Sequence, residues 1–331
     1  MIEILQTGPL NTIQDLGRPG YRNIGVTASG VMDPLAHCVG NLLVGNEVSA
    51  ASIELQTFPF RIRFKERHIF ALSGADCAAR LDGRSLPGWW AMEAQPGEVL
   101  ELAQPLKDAR AYLSLAGGID VALVLGSRST SLRGAFGGLA GRSLTVGDEI
   151  AVIPATAAGF FPKGGFGVKP PVEALSGVFP PAEDGVLTIR AIPAGEHDLF
   201  GADAMRFWSQ PWKVSARSDR TGFRLSGEPI HPLETVEMRS HGVMPGVVQV
   251  PPAGEPIVQM SDANTAGGYP KIAGVLESDL WRLGQARIGS SLRFRLATHA
   301  DERAAEHAVK AYLDDIRQTR ALLVQALAAM A

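Results

Sequence analysis

Two cysteines, Cys38 and Cys77, are all that the 331 residues contain, too few for a disulfide framework and without metal-ligand spacing. The seven histidines include no HExxH or other close-spaced ligand pair, so no metal site is expected. No apolar run reaches the ~18 residues that a spanning helix needs. The first residues, MIEILQTGPL, lack the basic, apolar and small-residue succession of a secretory leader. The expectation is a cytoplasmic protein with no membrane contact. A dominant charge sign is missing as well: 31 Lys and Arg stand against 34 Asp and Glu, and scattered charge leaves no footprint for nucleic acid.

Several catalytic devices are also absent. There is no GxxxxGK[ST] phosphate loop; the glycine-rich run Gly134 to Gly141 lacks the following Lys-Ser/Thr and reads as a flexible loop. Nothing matches a biotin acceptor, whose nearest echo, Ala91-Met92-Glu93-Ala94, has glutamate where the modified lysine would stand. No Gly-x-Ser-x-Gly elbow or Ser-Ser-Lys constellation supplies an amide-cleaving nucleophile.

What is present is a chain of ordinary globular composition, 46% hydrophobic, and long enough for two cores. Thirty-seven glycines and 22 prolines punctuate short segments of alternating polarity: Ile2 to Gln6, Ser52 to Gln56, Arg61 to Phe64, Val99 to Leu102 and Ala111 to Leu115. Period-two alternation between turn residues predicts half-buried strands. One device occurs three times: Gly97, Gly147 and Gly289 each precede apolar residues by three and five positions (Leu100 and Leu102, Ile150 and Val152, Leu292 and Phe294). Helices are few. Asp33 as N-cap, Pro34 and Gly45 delimit one ending at about Val44; others are expected over Leu199 to Ser209, Ser278 to Leu283 and Asp301 to about Ala329. The expected organisation is an N-terminal β subdomain (1–153), a Gly/Pro-rich linker or loop (154–185), a second β subdomain (186–298) and a C-terminal helix (299–331).

Three stretches carry concentrated polar chemistry. Gln14, Asp15 and Arg18 put an amide, a carboxylate and a guanidinium into one loop, able to orient a small polar ligand; on local residues alone, bracing of the turn is favoured over ligand contact. Arg220 and Arg224 flank Gly222 and suit a carboxylate or phosphate, or an Arg–Asp surface pair. In Ser261 to Ile272, Gly267 and Gly268 allow backbone to approach a ligand, Tyr269 offers a hydroxyl, and Lys271 suits stabilisation of charge developing on a carbonyl or phosphoryl oxygen. A tight hairpin turn explains the same glycines equally well.

Together TIQDLGRPGY, SGVMDPLA, NLLVGN, AYLSLAGGID with LGSRST, SDRTGFRL, VQVPPAGEPIV and GGYPKI resemble the biotin-dependent carboxyltransferase, or allophanate hydrolase subunit 2-like, family over residues 1 to 296. The resemblance implies a mainly β fold with a few helices: two cyclophilin-like β-barrel subdomains plus the C-terminal helix. It implies a subunit of an ATP-dependent 5-oxoprolinase, opening 5-oxoproline to glutamate with a smaller B-type (KipI-like) subunit and an A-type subunit, ATP being shared with those partners. Alternatives within the family are a carboxyltransferase subunit acting on urea or a urea-like amide, for which biotin would be the cofactor, and a KipA-like non-enzymatic regulator that binds a kinase inhibitor. The signature motifs contain Gln14, Asp15, Arg18, Ser29, Asp33, Asn41, Arg128, Arg220, Arg224, Gln249, Asp262, Tyr269 and Lys271. Asp15, Asp262 and Lys271 are the catalytic candidates. Gln14, Arg18, Ser29, Asn41, Arg220, Arg224, Gln249, Gly267, Gly268 and Tyr269 are the substrate-binding ones. Two hydroxyls of the family pattern are missing: Phe223 stands in place of tyrosine and Ala266 in place of threonine.

Overall fold

The structure, a computed structural model, describes residues 1–155, 161–234 and 236–330. Residues 156–160 of the expected Gly/Pro-rich linker, and residue 331 of the expected C-terminal helix segment, lie outside the described residues. The chain divides into two compact units, one of Met1–Gly17, Asp33–Leu175 and Val309–Ala331, the other of Arg18–Met32 and Ser176–Ala308. This differs from the sequence-based ranges in placing Arg18–Met32 with the second unit and Val309–Ala331 with the first, a grouping set by contacts between residues far apart in the chain.

The first unit holds two six-stranded antiparallel sheets. One runs Glu149–Ile150, Ile2–Gln6, Phe60–Phe64, Val99–Leu102, Arg80–Leu81, Arg84–Ser85; the other runs Phe166–Gly167, Trp90–Ala94, His68–Gly74, Ala111–Leu115, Ser52–Leu55, Thr12–Gln14. Alternate residues of both sheets, among them Ile2, Ile4, Ile62, Phe64, Ile53, Phe70 and Leu113, form one apolar cluster. Each such side chain contributes about 1.5–3 kcal/mol relative to exposure.

All five residues of Ala111–Leu115 are buried, where alternation alone predicts a half-exposed strand. The reason is the helix α1 (Pro34–Val44), capped by Asp33, whose carboxylate accepts from the Ala36 N–H, and closed by Gly45 in the left-handed region. It covers the second sheet's other face so closely that a Cβ at Gly40 would lie 2.8 Å from Ser73 Oγ and 2.8 Å from Ser114 Oγ. The polar half of the alternation therefore meets a helix rather than water.

In the second unit seven strands close into a barrel, in the order Val186–Pro193, Lys271–Val275, Val247–Gln249, Ile257–Gln259, Gly222–Ser226, Trp212–Val214, Ser291–Leu296. The closing pair, Val186–Pro193 with Ser291–Leu296, is parallel; the other pairings are antiparallel. Ile189, Phe223, Val248, Val258, Ile272 and Leu292 fill the interior, and Phe207 from the helix Ala202–Ser209 stacks on Phe294 with centroids 4.6 Å apart.

The repeated glycine device is one turn used three times. Gly97, Gly147 and Gly289 have φ of 92°, 89° and 86°. Each N–H donates to a strand carbonyl (Phe64, Ile4 and Val214), and the next residue's N–H closes a four-residue turn onto Gln95, Thr145 or Arg287. A positive φ at the third turn position selects glycine, and a Cβ would meet no neighbour within 4 Å, so conformation rather than space imposes the choice. The long helix His299–Met330 starts two residues earlier than its apolar periodicity suggests. Thr298 and Asp301 form a reciprocal cap, Asp301 accepting from the Thr298 N–H at 2.7 Å and its hydroxyl at 2.6 Å.

Candidate functional site

In the first unit the chain leaves the strand Thr12–Gln14 and turns at Asp15, which is only 6% exposed. Its carboxylate accepts from Ser127 Oγ (2.6 Å), Ser129 Oγ (2.5 Å), the Arg128 N–H (2.5 Å) and the Gly17 N–H (2.8 Å). Two hydroxyls and two backbone amides thus hold the charge, and the segment 127–129 is tied to the turn. Gln14 is fully buried, donating to Thr12 Oγ1 and the Thr130 carbonyl, while its Oε1 has no partner among the described residues.

Asn41, on α1, belongs to a neighbouring buried set. Its Nδ2 approaches His37 Nε2 at 3.2 Å and the Ala50 carbonyl at 2.9 Å, and His37 Nδ1 lies 2.8 Å from Ser52 Oγ. Burial lowers the His37 pKa to about 4, against smaller opposing effects of Asp15 and Glu54. The ring is therefore neutral near pH 7. Since Asn41 Nδ2 can only donate, Nε2 accepts and Nδ1 carries the proton toward Ser52. Beside it Tyr112 donates to Glu54 Oε2 at 2.7 Å and accepts from the Asp33 N–H at 2.8 Å. Burial, reinforced by Glu54, raises its pKa well above the ordinary phenol value.

In the second unit the strand registers sort the candidates. Gly222 pairs with Gln259, whereas Gln249 pairs with both Ile257 and Lys271. Arg220 therefore lies at one end of the barrel and Lys271 at the other. Arg220 joins Asp262: its Nε donates to Asp262 Oδ2 at 2.8 Å and its Nη2 to the Gly30 carbonyl at 2.5 Å, with the side chain 5% exposed. Ser261 Oγ donates to the Val31 carbonyl, a second tie to the same segment. Arg18 is fully buried, with its N–H on the Ala28 carbonyl, and Ser29 is buried with φ 53°. Arg224 does not join Arg220; strand alternation turns Phe223 and Leu225 inward and leaves Arg224 exposed.

Lys271 meets Glu196, whose Oε2 accepts from the Lys271 N–H at 3.1 Å and lies 3.7 Å from its Nζ. The strand pairing shifts register between Val248 and Gln249, beside this lysine. Gln249 Oε1 accepts from Gln259 Nε2 and its Nε2 donates to the Tyr269 carbonyl. Gly267 is explained by that amide, since a Cβ there would lie 2.8 Å from Gln249 Nε2; at Gly268 it would lie 3.0 Å from the Met238 carbonyl. Tyr269 is 45% exposed. Among the described residues no cluster of three or more His, Cys, Asp and Glu could hold a metal, and no helix is long and apolar enough to cross a membrane.

The family model for the carboxyltransferase domain, subdomain A and B, matches residues 24–296. The chain belongs to that family. It is 39% identical to the C-type subunit of 5-oxoprolinase from Escherichia coli (strain K12), over 89% of this chain and 90% of that protein. To the corresponding 5-oxoprolinase subunit from Haemophilus influenzae it is 35% identical, over 96% of this chain and 98% of that protein. The crystal structure of Kluyveromyces lactis urea carboxylase superposes with a TM-score of 0.85 at 27% identity, over 95% of this chain and 29% of that larger chain.

Within this carboxyltransferase domain several polar residues escaped the sequence reading. Glu196 lies 75 positions before Lys271, outside every quoted motif. Ser127 and Ser129 sit in the LGSRST stretch, but only Asp15 gives them a purpose. His37 and Ser52, 15 positions apart, were concealed because α1 and the following strand supply one partner each. The usable signal was the polar half of the alternating strands, Ser52, Glu54, Tyr112 and Ser114, with no solvent-facing charge among the last two.

Proposed function

We propose that this chain is a subunit of a 5-oxoprolinase, acting with A-type and B-type partner subunits to open 5-oxoproline to glutamate at the expense of ATP. The observation that carries this reading is 39% and 35% identity to the C-type subunits of two 5-oxoprolinases, matched along nearly their whole lengths. The unstrained lactam is a poor electrophile, and phosphorylation of its oxygen would make a better leaving group for attack by water. Of the cationic candidates, Arg220 is engaged by Asp262 and Gly30, and Lys271 by Glu196. In this reading nucleotide binding is therefore assigned to the partner subunits.

The contribution of this chain is electrostatic and positional. Lys271, 20% exposed with its Nζ 3.7 Å from Glu196 Oε2, is the candidate best placed to stabilise an oxyanion developing on the substrate. Arg224 presents an exposed guanidinium suited to a carboxylate. Asp262 and Asp15, both already hydrogen-bonded, act in this reading by fixing loops rather than by moving protons. That narrows the roles expected from the residue types.

The deciding experiment is reconstitution. The chain purified alone should release no glutamate from 5-oxoproline; with its A-type and B-type partners it should release glutamate and ADP. Absence of glutamate from the assembled set overturns the proposal. The urea carboxylase likeness sets the competing reading, in which the assembled set would carboxylate urea in a biotin-dependent manner. Tight binding of the B-type partner without any turnover would instead support a regulator. With the reconstituted enzyme, Lys271→Met should lower kcat by about 10²-fold or more, the scale of one lost oxyanion stabiliser.

A further inference from the structure

A pocket of about 300 Å³ opens in the second unit beside Tyr269, at the low end of the range for small-ligand sites. Its walls are unusual in what they cannot donate. Pro232, Pro251, Pro252 and Pro270 all line it, and proline has no backbone N–H. Among the described residues no lysine or arginine lines it either. Among the described lining residues, His231 is the one side chain able to carry a positive charge toward an anion.

The groups that are available have the opposite preference. Glu234 is the one carboxylate in the wall, and among the described residues it has no ion-pair partner. The Tyr269 hydroxyl likewise has no hydrogen-bond partner among the described residues, and its ring is 45% exposed. Leu233, Val236 and Val250 supply apolar surface between them. The remaining wall is held in place: the His231 ring packs so tightly on Gly254 that a Cβ there would lie 2.8 Å from its Cε1. A carboxylate, an aromatic ring and aliphatic walls together are complementary to a short alkyl chain ending in a positive charge.

We infer that this pocket binds an alkylammonium group, from a small amine or from a lysine side chain of another polypeptide. The ammonium pairs with Glu234 and the Tyr269 oxygen, while the alkyl stem lies along the valines and prolines. The site takes ligands of the sign opposite to 5-oxoproline and nucleotide, so the inference does not rest on the oxoprolinase reading.

Chemical-shift titration of the full-length chain with butylammonium and with butyrate, ligands of equal length and opposite charge, tests this directly. Butylammonium should shift the amides of Leu233, Val236, Val250 and Tyr269, and butyrate should bind at least about tenfold more weakly, a difference of 1.4 kcal/mol. Glu234→Gln should weaken butylammonium binding about fivefold, the scale of one partly exposed ion pair. Tyr269→Leu should weaken it by a similar factor if the ring contributes through its face. A blocked lysine (Nα-acetyl-lysine methylamide) that binds more tightly than butylammonium identifies a polypeptide source; weaker binding identifies a free amine. Equal affinity for butyrate, unchanged affinity in Glu234→Gln, or no shifts at these amides with 50 mM butylammonium, a concentration well above about 1 mM-class binding, overturns the inference. The readout needs neither partner subunits nor turnover, so it stands or falls separately from the oxoprolinase assignment.

Discussion

Asp15 in the first unit and Asp279 in the second are both buried carboxylates, and they are satisfied by opposite means. Among the described residues no cation pairs with Asp15; hydroxyls of Ser127 and Ser129 and two backbone amides share its charge. Asp279, fully buried, takes Arg190 Nη2 at 2.6 Å, Arg190 Nε at 3.0 Å and the Arg190 N–H at 2.7 Å, with Arg282 3.8 Å away. Burial pulls the Arg282 pKa below its ordinary value, and the Arg190 guanidinium lies 4.7 Å over the Phe179 ring. Neutral donors distribute a charge without adding one, whereas paired ions leave a bare charge whenever one member is removed.

The comparison breaks most visibly at Asp279. Asp279→Ala strands two buried guanidinium groups and should cost about 3–5 kcal/mol in urea denaturation. A loss below about 1 kcal/mol would mean that Phe179 and water compensate for the ion pair.

The next effect is pH-dependent and belongs to the first unit. The folded His37 pKa is about 4, against 6.5 in the unfolded chain. Protonation therefore favours unfolding: the contribution is fully present above pH 6.5 and is lost as pH falls from there toward 4. The ~2.5-unit gap corresponds to about 3 kcal/mol. His37→Gln should remove that part of the acid-side slope of unfolding free energy; an unchanged slope would show that another group carries it.

Smaller still, Asp15→Asn keeps one acceptor oxygen but presents an NH2 to donors, and should cost about 2 kcal/mol in the same denaturation assay. Its effect should fall well short of Asp279→Ala, and a larger one would invert the contrast. Smallest are the three turns. Gly97→Ala, Gly147→Ala and Gly289→Ala should each cost about 1–2 kcal/mol, nearly equal in the two units, because the penalty is the positive φ alone. A marked inequality in thermal melting would show that the turns are not equivalent.

Local regularities were legible in the sequence. The strand Val99–Leu102 and the helix α1 with its Asp33 cap declare themselves within a few residues, and so does the shared glycine turn. What alternation could not say was whether Tyr112 and Ser114 face water or a helix, since that depends on α1 docking some 70 residues away in sequence. Two-residue strands such as Arg84–Ser85 carry no period to read. At the candidate site Arg220 pairs with Asp262, 42 positions later, and with a carbonyl 190 positions earlier. No spacing rule reaches that far. The motif resemblance located the polar residues; only geometry separated Arg220 and Asp262, at one barrel end, from Lys271 and Glu196 at the other.

The borders of the sheets carry a last consequence. The barrel closes on itself, and three of the four outermost strands of the first unit, Arg84–Ser85, Glu149–Ile150 and Phe166–Gly167, are two residues long. The fourth, Thr12–Gln14, is buried, with the Thr130 N–H on the Ile13 carbonyl. Among the described residues no border is long and open enough to template a foreign strand. Such short borders disfavour recognition of another polypeptide by strand addition, and they guard the folded chain against fibrillar self-association.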